Sequence, residues 1–413
     1  MQRTALVLAL VAGMTVMAGA AEWPQFLGPN RDATSPEKGL MRAWPAGGPK
    51  VLWTIDVGPG YGGAAIRDGQ VHILDRQSGQ ADILRVFDLM TGKELWKFGY
   101  PATGKISHAG SRCTPTVSEK HIFIVGPKGH FHCIDRQTHK AVWTKNLLKD
   151  YGVREPRWSV SQSPLLYGDR VIVAPQGDPV GVVALDQATG EQKWASGPVG
   201  PMDYASPMLR TVGGVDQVTI VNRKGVSAVD AKTGKNLWQY HHPCNILVPP
   251  MTQMADGVFF VTGGYNAGSA VIRVTATGGG FQVQEYAKIN KVGSHIHPGL
   301  FLDKHIYVLC NTNERRDGLV CFDPKLEIVW QTEKSPNLCK GGSVLTADGI
   351  IYIMDGAKGD LHIVQPSPEG FKSLDQVTLL GGREIWGPLA LSDGYLLIRD
   401  QRQMKCVDIK PGR

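Results

Sequence analysis

A short apolar run recurs eight times along this chain, at intervals of 40 to 51 residues. The copies are residues 71–74, 122–125, 171–174, 218–221, 258–261, 306–309, 350–353 and 395–398. Most follow a turn signal such as Asp68-Gly69, Gly168-Asp169 or Asp348-Gly349. The apolar residues are consecutive, not alternating, so each run reads as a strand buried on both faces. A unit of this size cannot bury both faces of a strand alone. Repetition at this period means stacked neighbours.

A second motif follows each run. Its clean form is an apolar strand, an Asp-x-x-Thr-Gly turn and a strand closed by Trp. Three copies keep it: Asp88 to Gly92 and Trp96, Asp186 to Gly190 and Trp194, Asp230 to Gly234 and Trp238. The turn chemistry is local: the Asp carboxylate accepts backbone N–H groups two or three residues on, and Gly supplies positive φ. The Trp is expected to cover the flank of the adjoining repeat, where an aromatic can bury about 150–250 Å². Elsewhere the motif decays. Asp135 is followed by Thr138-His139 but keeps Trp143, and Asp323-Pro324 leads to Trp330. In two copies Tyr286 and Leu374 are expected in the Trp place. Cys133, Cys321 and Cys406 stand where Ala184 and Ala228 stand in the clean copies, so they read as small buried residues.

Four short strands per unit of about 46 residues is the arithmetic of an all-β propeller. The last unit runs out after three strands, while Trp53 sits in an orphan strand at the front. The reading is therefore an eight-bladed propeller of four-stranded antiparallel blades, its ring closed by that N-terminal strand; seven blades is the alternative. Residues 48–413 form the single propeller domain and residues 21–47 a lead-in. Residues 1–20 read as a signal peptide, with basic Arg3, an apolar stretch and Ala18-Gly19-Ala20, cleaved after Ala20. The mature chain is expected in the periplasm or outside the cell, with no membrane span, as a monomer.

The repeat from Val182 to Trp194 resembles the PQQ-like repeat of quinoprotein-type propellers, and the resemblance runs from about Val51 to Ile409. In size and blade count the chain is also similar to BamB-type propellers, which help to assemble outer-membrane proteins. That family is lipid-anchored through a Cys, and none follows Ala20 here. The resemblance implies the fold firmly and leaves the function between scaffold and quinone dehydrogenase.

In a propeller the loops from the outer strand of one blade to the inner strand of the next gather around one end of the channel. The candidate ligand-binding residues there are His108, Arg112, Trp158, Tyr204, His295, His297, Lys340 and Trp386. Basic residues outnumber acidic ones in these loops and in those between the second and third strands, which predicts a basic funnel for an anionic or polyhydroxylated ligand or an acidic protein segment. His295 and His297, two apart, would face one side of a strand as two metal ligands do, but no paired carboxylate accompanies them, and no metal is expected. A Cys310–Cys321 disulfide is an open alternative to free thiols. The formal charge of +7 is too mild to argue for nucleic acid. No catalytic residues are identified: there is no G-x-S-x-G, H-E-x-x-H or P-loop. The expected role is non-catalytic binding of an envelope protein or glycan at the funnel, without cofactor. The alternative, carried by the resemblance, is a dehydrogenase of alcohols or sugars using PQQ and calcium.

Overall fold

The apolar runs become the second strands of eight blades. The computed structural model describes residues 21–77 and 79–412, and the expected signal peptide lies outside them. The described residues contain strands and turns but no helix. Blade 1 shows the plan: Ala65–Arg67, Gln70–Gln77, Ala81–Asp88 and Glu94–Pro101 pair antiparallel in that order, from the channel outwards. Blades 2 to 7 repeat it. The second strand is the most buried, as in His121–Val125, where only the first residue is partly exposed.

Blade 8 takes three strands from the end of the chain, Ala390–Ser392, Tyr395–Arg399 and Gln403–Asp408. Its outer strand is Lys50–Asp56, from the front, antiparallel with Lys50 opposite Asp408 and Trp53 opposite Cys406. The ring has eight blades and the N-terminal strand closes it. This pairing covers the edge of Gln403–Asp408 that would otherwise be open.

The joints between blades follow the turn motif. The Trp53 indole donates to the Leu89 carbonyl at 2.8 Å, and that of Trp143 to Gln187 at 3.0 Å. Each ring also lies against the turn Gly of the next blade: a Cβ on Gly92 would sit 2.6 Å from Trp53, and one on Gly190 would sit 2.8 Å from Trp143. The Gly therefore meets two demands, positive φ and contact with an indole. The turn Asp does what its chemistry predicts. Asp230 accepts the amides of Lys232 and Thr233 at 2.9 and 2.7 Å. Asp135 does the same for Gln137 and Thr138. Where the Gly is missing, His139 adopts φ +60° and its ring stacks on Trp96, centroids 4.1 Å apart and planes within 9°.

Two expected closing residues are displaced by one. A bulge in the outer strand makes the residue before each Trp bypass its partner: Ala228 faces Trp238 and Val229 faces Asn236, leaving Leu237 unmatched. By that register the Trp place in blade 5 belongs to Ala287, opposite Val271, and in blade 7 to Asp375, opposite Ile363. Tyr286 and Leu374 are the bypassed residues, and Tyr286 is 59% exposed. The small-residue role of the cysteines stands on the same register. Cys133, Cys321 and Cys406 each face a Trp across the pair. All seven thiols are buried and free, so the Cys310–Cys321 bridge does not form. Burial pushes the Cys133 and Cys406 thiols up to about 12, which keeps them protonated and unreactive.

The lead-in runs inside the ring. Trp23 exchanges two backbone hydrogen bonds with Ile66 on the inner strand of blade 1, and Pro24 accepts from Val117 of blade 2. Arg31, buried and at φ +54°, donates to the carbonyls of Pro164, Ser163 and Pro207 at 2.9 to 3.2 Å, just ahead of the inner strands of blades 3 and 4. Thr34–Ser35 then pairs parallel with Ser343–Thr346, adding a fifth strand to blade 7. One segment thus touches blades on both sides of the channel.

Candidate functional site

The chain returns to the same end of the channel after every outer strand, so eight loops meet there. A cavity of about 320 Å³ opens among them. Every one of these loops supplies lining: Tyr61, then His108 and Arg112, Trp158, Tyr204, Ile246, the 295–297 segment, Lys340 and Trp386. All eight residues singled out in the sequence line this one cavity. Phe26 of the lead-in joins them, so that segment also reaches the cavity.

The walls are aromatic. Tyr61 stacks on Trp386, centroids 5.6 Å apart, and donates its hydroxyl to Glu384 at 2.5 Å. Trp158 packs on Tyr204 at 5.2 Å, and the Tyr204 hydroxyl accepts the Trp158 amide at 3.1 Å. His108 meets Trp158 edge-on at 5.7 Å, and Tyr265 packs on His295 at 4.7 Å. Several of these positions carry positive φ without being Gly: His108, Tyr265, Lys340 and Glu384 lie between +48° and +55°. Non-Gly residues held in the left-handed region concentrate at ligand sites, because the surroundings must hold them there.

Four cations of the expected basic funnel are paired with carboxylates. Arg76 is buried with Asp82, Arg223 pairs with Asp203 at 2.6 Å, Arg315 with Asp317 at 2.7 Å and Lys128 with Glu155 at 2.9 Å. Two cations remain in the lining. Arg112 spends its amino groups on its own loop, donating to the carbonyls of Gly110, Ser107 and His108. Lys340 is buried, donates to the Asn313 side chain at 2.5 Å and sits 5.3 Å from the Trp386 ring.

The His pair is not on a strand. His295 and His297 lie in a bent loop. The imidazole of His297 is buried, with Nε2 3.0 Å from the Trp386 carbonyl, while His295 faces Tyr265. Among the described residues no group of three or more His, Cys, Asp or Glu is placed to hold a metal. Burial, joined at His295 by the charge of Lys340, lowers both imidazoles to about 4. Between that value and the ordinary 6.5 the unfolded chain holds protons that the folded chain refuses, so stability rises with pH across this window. Unfolding free energy is thus expected to fall as pH drops from 6.5 to about 4. In His297→Gln that slope should be shallower, measured by urea titration at each pH. An unchanged slope would contradict the burial of a neutral imidazole.

A quinone held by calcium would need an open aromatic face, free cationic donors and a carboxylate–amide cluster. The cavity offers aromatic faces and the cations Arg112 and Lys340, but among the described residues no carboxylate lines it. The lining therefore lacks the carboxylate ligands that the calcium ion of such a group would need.

Tyr61, Phe26 and Tyr265 are lining residues that the sequence pattern did not single out. Tyr61 had a signal: it follows the closing strand, so its loop is the eighth of the set. Phe26 had none, because the lead-in carries no repeat.

Residues 67–302, more than half of the chain, match the family described as outer membrane protein assembly factor BamB. No curated protein is matched. Among solved structures, the chain is similar to BamB from Moraxella catarrhalis, with 16% identity and a TM-score of 0.61, covering 88% of this chain and 98% of that one. It is also similar to a europium-containing methanol dehydrogenase, at 15% identity and TM-score 0.65, covering 92% and 89%. A quinohemoprotein alcohol dehydrogenase from Comamonas testosteroni gives 14% and 0.65, covering 95% and 81%. At these identities the structural likeness is one of fold, and the fold hosts both binding and catalysis.

Proposed function

The chain belongs to the family described as outer membrane protein assembly factor BamB, and from that premise we propose that it is a non-catalytic binding propeller of the cell envelope. Its ligand is an extended polypeptide segment whose side chains enter the cavity formed by the eight loops. The aromatic lining carries this reading: Tyr61, Trp158, Tyr204, Tyr265 and Trp386 present rigid, amphipathic rings at one end of a closed scaffold. Such rings give large contact area at little loss of conformational freedom, and they dominate binding energy at protein interfaces. Among the described residues of the lining no Ser hydroxyl is hydrogen-bonded to a His, and burial keeps the imidazoles of His295 and His297 neutral. The chain acts after export, in the compartment where such a family works.

The solved dehydrogenases of this fold set the competing outcome. The purified mature protein, given PQQ, calcium ions and a panel of alcohols and sugars, is expected to reduce no acceptor dye. Saturable quinone binding with turnover would replace this reading by the dehydrogenase one.

A further inference from the structure

Beside the aromatic cavity lies a second, more open cleft, between the loops of blades 6, 7 and 8. It shares Asn313, Lys340 and Trp386 with the cavity and adds Arg316, Arg383 and Glu384. Its charge is one-sided. Arg316 and Arg383 are exposed, and among the described residues neither they nor Lys340 makes an ion pair. Arg316 has one backbone acceptor, Thr312. Glu384 is the one carboxylate in the lining, and it accepts the Tyr61 hydroxyl; Glu314 lies nearby, outside the lining. Arg76, Arg223, Lys128 and the adjoining Arg315 each have a carboxylate partner.

Three cations without an ion-pair partner line one cleft, continuous with an aromatic cavity through a shared Trp and Lys, and together they define a composite site. We propose that Arg316, Arg383 and Lys340 form an anion subsite, so that the preferred ligand group is an aromatic ring joined to a carboxylate, the ring in the cavity and the carboxylate in the cleft. This rests on the cavity being a binding site and names the chemistry it prefers. Guanidinium groups suit a carboxylate because they can meet both oxygens in one plane. Lys340 sits at the border: buried, over the Trp386 ring and hydrogen-bonded to Asn313, which lines both the cavity and the cleft. A free aromatic acid and the terminal residue of a polypeptide both present this chemistry.

Calorimetric titration separates the parts. The probes are N-acetyl-tryptophan, its neutral amide, and a hexapeptide ending in tryptophan as free acid or as amide. The acid forms are expected to bind about tenfold more tightly than the amides. In Arg316→Gln/Arg383→Gln that ratio should fall to within about twofold, with amide binding unchanged. A larger ratio for the hexapeptide than for the single residue identifies a chain end as the source; equal ratios identify the free acid. Equal binding of acid and amide by the unaltered protein would overturn the anion subsite and leave the aromatic cavity standing. If none of the probes binds, the cavity reading falls, and this inference with it. Circular dichroism of the double variant, expected to match the unaltered protein, shows that any change is not misfolding: both side chains are exposed.

Discussion

Replacing Trp53 by Ala is expected to lower the unfolding free energy by about 3–5 kcal/mol, a large part of the roughly 5–15 kcal/mol that holds most domains folded. Trp53 sits on the strand that joins the first residues of the ring to its last blade. Its indole is 7% exposed, donates to the Leu89 carbonyl of blade 1 and packs on Gly92. The substitution therefore leaves a cavity and a buried carbonyl at the joint where the ring closes. The same change at Trp96, which is only half-buried under His139, should cost less. Urea unfolding followed by fluorescence and circular dichroism measures both. A loss at Trp53 below about 1 kcal/mol would mean that closure does not depend on this joint.

The second large effect is at Gly234. Ala at this position is expected to cost about 3 kcal/mol, from left-handed backbone strain and from overpacking together. The φ is +76°, and an added Cβ would lie 2.5 Å from the Trp194 ring. Neither term is relieved by moving a flexible side chain, because the neighbour is a buried indole. His139 shows how the blade 1–blade 2 joint differs: the backbone still takes φ +60°, but the imidazole lies flat on Trp96. Thermal unfolding of Gly234→Ala beside His139→Gly tests the contrast. The first should lose many degrees, and the second should stay within about 1 kcal/mol of the unaltered protein. Equal effects would show that the turn Gly serves only its own loop.

Both predictions concern features that are local in sequence, and local features are the legible ones. The eight apolar runs, the Asp-to-Gly turns and the spare strand at Trp53 lie within short windows, so blade number, strand order and closure are all written in the residues themselves. The loop positions that gather at one end follow from the same register, which is why all eight singled-out residues meet. Three things are not legible. Tyr286 and Leu374 fall one residue off the expected place, because the bulge before each Trp adds a residue that leaves no mark where the Trp is absent. The basic funnel is paired in part, and the partners Asp203 and Glu155 come from other loops, so only the fold brings them together. The lead-in gives no hint that Arg31 is buried among the carbonyls of blades 3 and 4, since nothing in it repeats.

Binding at the loop end of the channel, through its aromatic lining, is tested most directly by hydrogen exchange with mass spectrometry. The purified mature protein is compared alone and with an extended, aromatic-rich peptide from an outer-membrane β-barrel protein. Protection is expected in residues 104–112, 157–162, 338–342 and 384–388, and it should vanish in Trp158→Ala/Trp386→Ala while the blades stay protected. Protection along the outer strands, or at the opposite end of the channel, would contradict binding at this site.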